Sequence, residues 1–330
     1  MKKANLNVKI YDYDILLSYP QREAGMRNYV AVHDSNGNII LDDTGHEVKS
    51  AEVEEILTES QDNSLVFNPF IAYAAAGNIT GDLMYVNYAR VEDFMFLEEN
   101  NINVRGNICI ARYGLIFRGN KARYAENYGC IGLILFSDSA DYAREWIGPY
   151  PESWYLPKTG AQRGTTHLEN GDPETPFYPS IPGAYRWTRN KTAEYGDKFG
   201  ATGLPGLPNI PITPIGYGDA YKLLSRMEGD KAPDNWQGGI RHPDGTQINY
   251  NYGPIITDNN KAFMYVQVKY RSSRCTSTKL IFRTSKKFVL PKTLLDILKA
   301  PRNLIDMSYL VITEMLGSSV RWILVRARVL

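Results

Sequence analysis

Cysteine and histidine are scarce in this sequence, whose 330 residues include 3 cysteines and 4 histidines. The histidines occur singly, and no HxxxH, HxH or CxxC spacing is present. Compact zinc sites use closely spaced His and Cys ligands. We therefore expect no protein-built zinc site, and we expect His33, His46, His167 and His242 to be solvated loop residues.

Three cysteines are too few for a disulfide framework. Cys109 lies in an apolar, strand-like run, and Cys130 follows Gly129 ahead of another such run. This placement favours two buried thiols, with a bridge between them as the alternative.

Long apolar runs are also missing. Met1-Lys2-Lys3 leads into polar residues without the apolar region of a signal peptide. The best apolar stretch near the C-terminus, Leu310 to Leu316, contains Glu314 and is far shorter than a membrane span. Neither a Gly-rich phosphate loop nor a GxSxG elbow is present, so no motif assigns a catalytic residue.

What the sequence does have is an uneven distribution of charge. Residues 271–330 contain 12 basic and 3 acidic side chains, a local charge of +9, whereas the whole chain has a net charge of +1. A basic tail can bind nucleic acid. This tail, however, is rich in Leu, Ile and Val and lacks the composition of a solvated arm, so we expect no nucleic-acid partner.

The periodicity of the chain predicts many short strands and few helices. Residues 8–19 alternate as a strand does, and Asn36-Gly37 marks a hairpin turn. A helix is predicted over Val91–Glu99. Residues 107–136 indicate a strand, a turn, a helix over Asn120–Tyr128 and a second buried strand. The predicted fold is therefore a β-rich α+β domain with a strand–helix–strand core.

Two loops carry polar chemistry. The first, residues 113–120 and here called the arginine turn, places Arg118 between glycines and after the aromatic Phe117. A guanidinium held at such a turn can bind a carboxylate through two hydrogen bonds. The alternative is an exposed Arg118 paired with a neighbouring acid.

The second loop, residues 171–179 and here called the acidic loop, has the sequence GDPETPFYP. Its acids and carbonyl oxygens are the ligands that calcium prefers. The alternative is a structural turn braced by its prolines.

Two glycosylation sequons are present, Asn78-Ile79-Thr80 and Asn190-Lys191-Thr192. We treat Asn78 and Asn190 as candidate glycosylation sites. Since such triplets arise often by chance, they only permit an extracellular location.

Long segments of this chain occur in one order that is also that of a known family. They are DYDILLSYP (12–20), YVNYARVEDF (85–94), NICIARYGLIFRGNKA (107–122), GLILFSDSADY (132–142), the acidic loop, and LPNIPITPIGYGDAYKLLSRMEG (207–229). In these segments the chain resembles glutamate carboxypeptidase II and its N-acetylated alpha-linked acidic dipeptidase relatives, with the transferrin receptors as more distant kin.

The resemblance implies three parts. Residues 1–17 would be the N-terminal strand of an α/β zinc-peptidase domain that is otherwise missing. Residues 18–270 would be the protease-associated, or apical, domain. Residues 271–330 match no family motif.

The resemblance also implies roles for three residues of the substrate pocket. Arg118 would grip the α-carboxylate of a C-terminal glutamate, and Phe117 would line the same pocket. Thr165 stands where the family usually has an Asn that binds the glutamate side chain, and Leu115 replaces a usual Lys. Both departures put strict glutamate specificity in doubt.

The metals implied by the resemblance are two zinc ions and one calcium ion in the intact enzyme. Two of the calcium ligands map to Thr175 and Tyr178, and the others come from the later peptidase domain. The zinc ligands and the general base come from that domain as well. We therefore expect none of these ions to bind well to this chain, and we assign it no catalytic residue.

Residues 271–330 have a separate interpretation. Read one base out of frame, synonymous codons for residues 292–327 can encode a string that resembles the family's first zinc-ligand segment. Our hypothesis is a frame-shifted, poorly ordered tail that is prone to aggregation. Sequencing the transcript tests this, because an in-frame tail on a distinct exon would contradict it.

The function implied is that of a fragment of a zinc-dependent glutamate carboxypeptidase-like metallopeptidase, which removes C-terminal acidic residues from peptides. The chain would supply part of the substrate pocket and be inactive alone. The resemblance implies a homodimer anchored in the plasma membrane and facing outward, and it leads us to expect that this chain would start past such an anchor. The alternative function is a non-catalytic binding module of the transferrin receptor type.

Overall fold

A computed structural model describes the protein over the following residues: 7–20, 28–34, 36, 38–39, 69–144, 148–187, 204, 206–254, 261–266, 268–281, 310–316 and 319–325.

The strands are short apart from the first and the eleventh. They are β1 Asn7–Pro20, β2 Tyr29–His33, β3 Ile71–Ala72, β4 Gly77–Gly81, β5 Leu83–Tyr85, β6 Ile108–Arg112, β7 Gly132–Phe136, β8 Gly164–Thr165, β9 Ile212–Ile215, β10 Lys261–Val266, β11 Val268–Ile281, β12 Leu310–Leu316 and β13 Ser319–Val325. The helices are α1 Val91–Glu99, α2 Arg118–Asn127, α3 Ser139–Tyr142 and α4 Tyr217–Leu224. The predicted mixture of many strands and few helices is therefore confirmed.

The centre of the fold is a four-stranded parallel sheet in the order β5-β6-β7-β9. Every residue of β6, β7 and β9 is buried, as expected for parallel strands covered on both faces. Ile108 pairs with Gly132 and Arg112 with Phe136, so β6 and β7 run side by side with α2 between them in the chain. β5 also pairs with β6 in parallel, so the carboxyl ends of β5 and β6 lie next to each other.

A second sheet is antiparallel, with three strands in the order β2-β10-β4. In β10, buried and partly buried residues alternate strictly, so one face of this sheet packs on the core and the other faces outward. The predicted hairpin after β2 begins with a bridge between His33 and Ile39. Its second strand beyond Ile39 lies outside the described residues.

The longest pairing joins β1 to β11 over 14 residues in each strand, from Asn7 opposite Ile281 to Pro20 opposite Val268. β11 crosses residue 270, where we predicted the end of the apical domain. The description of residues 271–330 as a poorly ordered tail stays a prediction, since much of that segment lies outside the described residues.

The expectation of two free buried thiols was wrong, because Cys109 and Cys130 form a disulfide. Cys109 lies on β6 and Cys130 lies two residues before β7, and both are buried. The parallel pairing of these strands brings the two Cα atoms to 6.0 Å although 21 positions separate them in sequence. The disulfide therefore closes the unit that contains the arginine turn.

Candidate functional site

The arginine turn lies at the carboxyl edge of the parallel sheet. β6 ends at Arg112, and the chain then passes through Gly114 and Leu115, whose φ angles are +111° and +61°. Left-handed φ costs a side chain such as Leu about 1 kcal/mol or more, so surrounding contacts must hold this turn. The carboxyl edge of a parallel sheet is also where α/β folds bind ligands.

Helix α2 begins at Arg118, two residues before the predicted start at Asn120. The difference arises because Gly119 is inside the helix, where glycine is normally unfavourable. A Cβ built on Gly119 would lie 2.5 Å from the Phe117 ring and 2.8 Å from the Thr166 carbonyl oxygen. Glycine is therefore required at position 119, because a larger residue would clash with Phe117 and Thr166 next to Arg118.

Arg118 has an aromatic setting and no acidic partner. Its guanidinium carbon lies 5.6 Å from the centroid of the Phe117 ring and 5.7 Å from that of Tyr113. The Nε atom is buried and has no hydrogen-bond partner among the described residues. In the part of the chain that the structure describes, no carboxylate forms an ion pair with Arg118. Among the described residues, the alternative of an arginine paired with a neighbouring acid is therefore not observed.

Gly164 forms the floor beneath the guanidinium. A Cβ on Gly164 would lie 2.5 Å from the guanidinium carbon of Arg118, so a side chain there would displace it. Gly164, which directly precedes the predicted pocket residue Thr165, is thus in contact with Arg118.

Thr165 follows Gly164 in β8, and its hydroxyl accepts a hydrogen bond from the His167 backbone N–H at 3.1 Å. No hydrogen bond joins Thr165 to Arg118. Leu115 is 69% exposed at the tip of the turn and does not close the space around the guanidinium.

A buried lysine supports the turn from below. Lys121 lies one helical turn after Arg118 and is 0% exposed. Its Nζ donates to the carbonyl of Tyr88 at 2.6 Å and to that of Gly114 at 2.8 Å. Burial lowers the pKa of Lys121 from 10.5 to about 7. Lys121 therefore ties the connection after β5 to the first residues of the arginine turn.

The side chain of Tyr88 is held by a second set of contacts. Its hydroxyl donates to the Asp141 carboxylate at 2.5 Å, and the Arg112 guanidinium lies 4.2 Å over its ring. Arg112 is also 3.6 Å from Asp141 and donates to the Asn87 side chain at 3.0 Å. Burial raises the pKa of Asp141. These contacts fix the position of Tyr88, whose carbonyl accepts the hydrogen bond from Lys121.

The acidic loop presents the opposite arrangement, because its carboxylates are paired. Arg186 donates from Nε to Glu174 at 2.8 Å and from Nη2 to Asp172 at 3.1 Å. Arg186 also donates to the Asp14 carbonyl, and Asp172 accepts from the backbone N–H of Leu16. The loop is thereby fastened to β1, and its acids neutralise an arginine.

The two predicted calcium ligands differ in their surroundings. The Thr175 side chain is buried, and its Oγ1 has no hydrogen-bond partner among the described residues. The hydroxyl of Tyr178 donates to the Tyr185 carbonyl. Thr175 therefore fits a ligand role, although calcium takes six to eight oxygens and this loop offers fewer.

Zinc does not fit the residues in hand. Within the described ranges, no group of three or more His, Cys, Asp or Glu side chains lies close enough to hold a metal ion. The described residues therefore provide no zinc site.

We had expected all four histidines to be solvated, and for two of them this was wrong. His33 and His167 are partly buried, and burial lowers the pKa of both. The Nδ1 atom of His242 lies 3.2 Å from the hydroxyl of Tyr221. His46 lies outside the described residues.

Sequence reasoning singled out Arg118 but missed Lys121. The available signal was the composition of α2, where Lys121 falls among the buried residues Gly119, Ala122 and Ala125. A lysine in a face of small residues indicates a buried amine with local acceptors.

Comparison with known proteins gives the class of this domain. Residues 69–168 match the PA domain family. This stretch runs from before β3 to beyond β8 and includes the arginine turn and Gly164. It lies inside the range 18–270, whose outer bounds stay a prediction.

Three relatives narrow the assignment. Glutamate carboxypeptidase 2 homolog of Caenorhabditis elegans is 32% identical over 273 residues, which cover 81% of this chain and 33% of that protein. Aminopeptidase NAALADL1 of Rattus norvegicus is 35% identical over 276 residues, which cover 80% and 33%. Transferrin receptor protein 2 of Homo sapiens is 32% identical over 195 residues, which cover 58% and 22%.

The resemblance found in the sequence motifs is thus confirmed. Residues 69–168 match the PA domain family, and about four fifths of the chain is similar to glutamate carboxypeptidase 2 homolog and aminopeptidase NAALADL1, with a shorter similarity to transferrin receptor protein 2. The chain spans about a third of the length of the first two relatives. Among its described residues, no helix has the length and apolar content needed to cross a membrane.

Proposed function

We propose that this chain supplies the carboxylate-binding part of the substrate pocket in a glutamate carboxypeptidase-like metallopeptidase that removes C-terminal acidic residues from peptides. The observation that carries the proposal is Arg118, whose guanidinium has no carboxylate partner in the described part of the chain and whose buried Nε has no acceptor. A buried N–H without an acceptor is costly, and a bound carboxylate would supply one.

The geometry suits a planar anion. The guanidinium offers a fork of donors that matches both oxygens of a carboxylate. Phe117 and Tyr113 flank it, and Gly164 packs against it without a side chain that would displace it. Phe117, which is 41% exposed, would contact the aliphatic part of the bound residue.

Thr165 and the metals complete the proposal. The Thr165 hydroxyl accepts one hydrogen bond and keeps its own proton to donate to an acidic side chain. Thr175 and Tyr178 would provide two ligands of one calcium ion. Hydrolysis itself is assigned to the family's two-zinc centre, which activates a water molecule, so we expect the residues described here to bind peptide without cleaving it.

We further propose the family's setting for the whole protein, an extracellular enzyme at the plasma membrane that acts as a homodimer. The sequons Asn78 and Asn190 agree with that location. Asn78 is exposed in β4, and Asn190 lies outside the described residues.

A second candidate is a non-catalytic binding module, favoured by the relationship to transferrin receptor protein 2. In that case a protein partner would bind this domain, and Arg118 would not select a free carboxylate. Affinity for an acidic peptide against affinity for a protein partner separates the two.

Calorimetric titration of the full chain with a dipeptide that ends in glutamate tests the proposal. We expect binding that weakens at least tenfold in Arg118→Met, because a charged hydrogen-bond pair contributes about 1.5–3 kcal/mol. Arg118→Lys keeps the charge but loses the fork, so it should bind with intermediate affinity.

The matched controls are one variant and one ligand. Arg123 lies on the same helix, half exposed, with its guanidinium 3.7 Å from Glu169, and Arg123→Met should leave the affinity unchanged. A dipeptide whose α-carboxylate is amidated should bind as weakly to the wild type as the free acid does to Arg118→Met. Equal affinity for acid and amide would overturn the proposal.

A further inference from the structure

The outward face of the antiparallel sheet carries a row of partly buried aromatic rings. The ring centroid of Tyr29 lies 5.4 Å from that of Tyr265 and 5.5 Å from that of Phe263. His33 stacks on Phe263 at 4.5 Å. Ala31, on the same face, is 0% exposed, so the rings cover the strand beneath them. The result is a continuous apolar strip that reaches the surface.

The edge strand β4 places a sequon on this same face. Asn78 lies opposite Tyr265 and Thr80 opposite Phe263. Both sequon residues are exposed, whereas Ile79 between them is partly buried. Residues directly opposite in an antiparallel pair have Cβ atoms about 4.5–5.5 Å apart. The Asn78 side chain therefore lies beside the Tyr265 ring.

We propose that Asn78 carries an N-linked glycan whose innermost sugar packs on Tyr265 and covers the aromatic strip. In the transfer step, Nδ2 of Asn78 loses a proton and bonds to the anomeric carbon of an oligosaccharide held on a polyprenyl diphosphate. The bond from that carbon to the diphosphate breaks, and the lipid diphosphate leaves with the electron pair. No oxidant or reductant is required.

The chemistry of the strip favours a sugar. One face of a pyranose ring presents C–H bonds, and an aromatic ring presents a negative face to them. The hydroxyls around the sugar stay in water. The strip would thus be covered without burying any polar group unpaired.

A separate observation agrees with the compartment. Glycan transfer takes place in the secretory lumen, which is also an oxidising compartment where disulfides form and persist. The buried disulfide between Cys109 and Cys130 indicates the same compartment without reference to the sequon.

The test expresses the full chain behind an added secretion signal in eukaryotic cells. Asn190→Gln is introduced first, because it removes the other sequon of the sequence. In that background Thr80→Ser keeps the sequon and Thr80→Ala removes it with an equally small change. Asn78→Gln gives the same readout if Thr80→Ala does not accumulate.

Intact mass is measured before and after treatment with a peptide N-glycosidase. We expect the Asn190→Gln protein and its Thr80→Ser version to lose the mass of one glycan. The Thr80→Ala version should lose none. An unchanged mass in the Asn190→Gln protein would overturn the proposal.

Packing on Tyr265 is tested by melting. Trimming with an endoglycosidase that leaves one sugar should preserve the Tm, whereas Thr80→Ala should melt lower by about 2 to 4 °C. Tyr265→Ser should abolish that difference between glycosylated and unglycosylated protein. If the same difference persists in Tyr265→Ser, the sugar does not pack on this ring.

Discussion

The arginine turn and the acidic loop use the same kinds of side chain in opposite ways. In the acidic loop, Arg186 contacts two carboxylates, Asp172 and Glu174. In the arginine turn, Arg118 contacts aromatic rings and no carboxylate among the described residues. Composition alone makes both loops look like binding sites. Whether the charged groups of a loop are already paired within the protein decides whether that loop is available to a ligand.

The two loops should also differ in how much folding stability is lost when their arginine is removed. A buried ion pair contributes little in total, but removing one partner leaves an uncompensated buried charge. A cation without a protein partner leaves no such charge behind when it is removed. Substitution at the two arginines should therefore affect folding very differently.

The largest effect is expected at Arg186. The Asp172 side chain is 1% exposed and that of Glu174 is 10% exposed, so Arg186→Met should lower the free energy of unfolding by about 3–5 kcal/mol. Urea titration measures the change. Arg118→Met is the matched control and should not lower the free energy of unfolding, because it removes a buried N–H that has no acceptor among the described residues. Similar losses in both variants would remove the distinction between the loops.

A smaller effect is expected at Lys121, which supports the arginine turn. Lys121→Met deprives the Tyr88 and Gly114 carbonyls of a donor and should cost about 1–3 kcal/mol at pH 9. Unfolding by urea at a series of pH values gives the comparison.

The same substitution has a signature in pH. Because burial lowers the pKa of Lys121 from 10.5 to about 7, the unfolded chain holds a proton between these values that the folded chain has released. The free energy of unfolding should therefore rise with pH between about 7 and 10.5. Below that window Lys121 is protonated in both states, so its ionisation should add no pH dependence. Lys121→Met should lack this rise, and an unaltered slope would contradict the shifted pKa.

The smallest effect is expected at Thr175, in the acidic loop. Its buried Oγ1 has no partner among the described residues, so Thr175→Val should change the free energy of unfolding by less than about 1 kcal/mol in a chelator. Added calcium should change the Tm of neither protein, because most of the calcium ligands are expected from the later peptidase domain. A large loss in the chelator would mean that the hydroxyl is already paired.

The elements set by local sequence could be predicted, and those set by distant contacts could not. Helix α1 has the predicted bounds because its start is fixed nearby, where Asp93 accepts from the backbone N–H of Arg90 at 2.9 Å. The start of α2 was missed because the glycine at position 119 is explained by a distant contact. Only glycine fits beside the carbonyl oxygen of Thr166. The disulfide was missed for the same reason, since only strand pairing brings Cys109 to Cys130.

The candidate site divides in the same way. The flanking glycines and Phe117 marked Arg118 from the sequence alone. Its lack of an acidic partner, by contrast, depends on where every acid folds. The role of Arg186 was not predicted, because its carboxylate partners Glu174 and Asp172 lie 12 and 14 positions earlier in the sequence and only the fold brings them together.

The pairing of β1 with β11 has a consequence for the order of folding. Its partner residues stand 248 to 274 positions apart in the sequence, so closing this ribbon costs more chain entropy than any local hairpin. During synthesis β1 emerges early, while its partner strand is still unmade. Until then its open edge can pair with another chain. Assembly of this ribbon should be a late and slow event, in which β1 depends on a chaperone or on rapid burial.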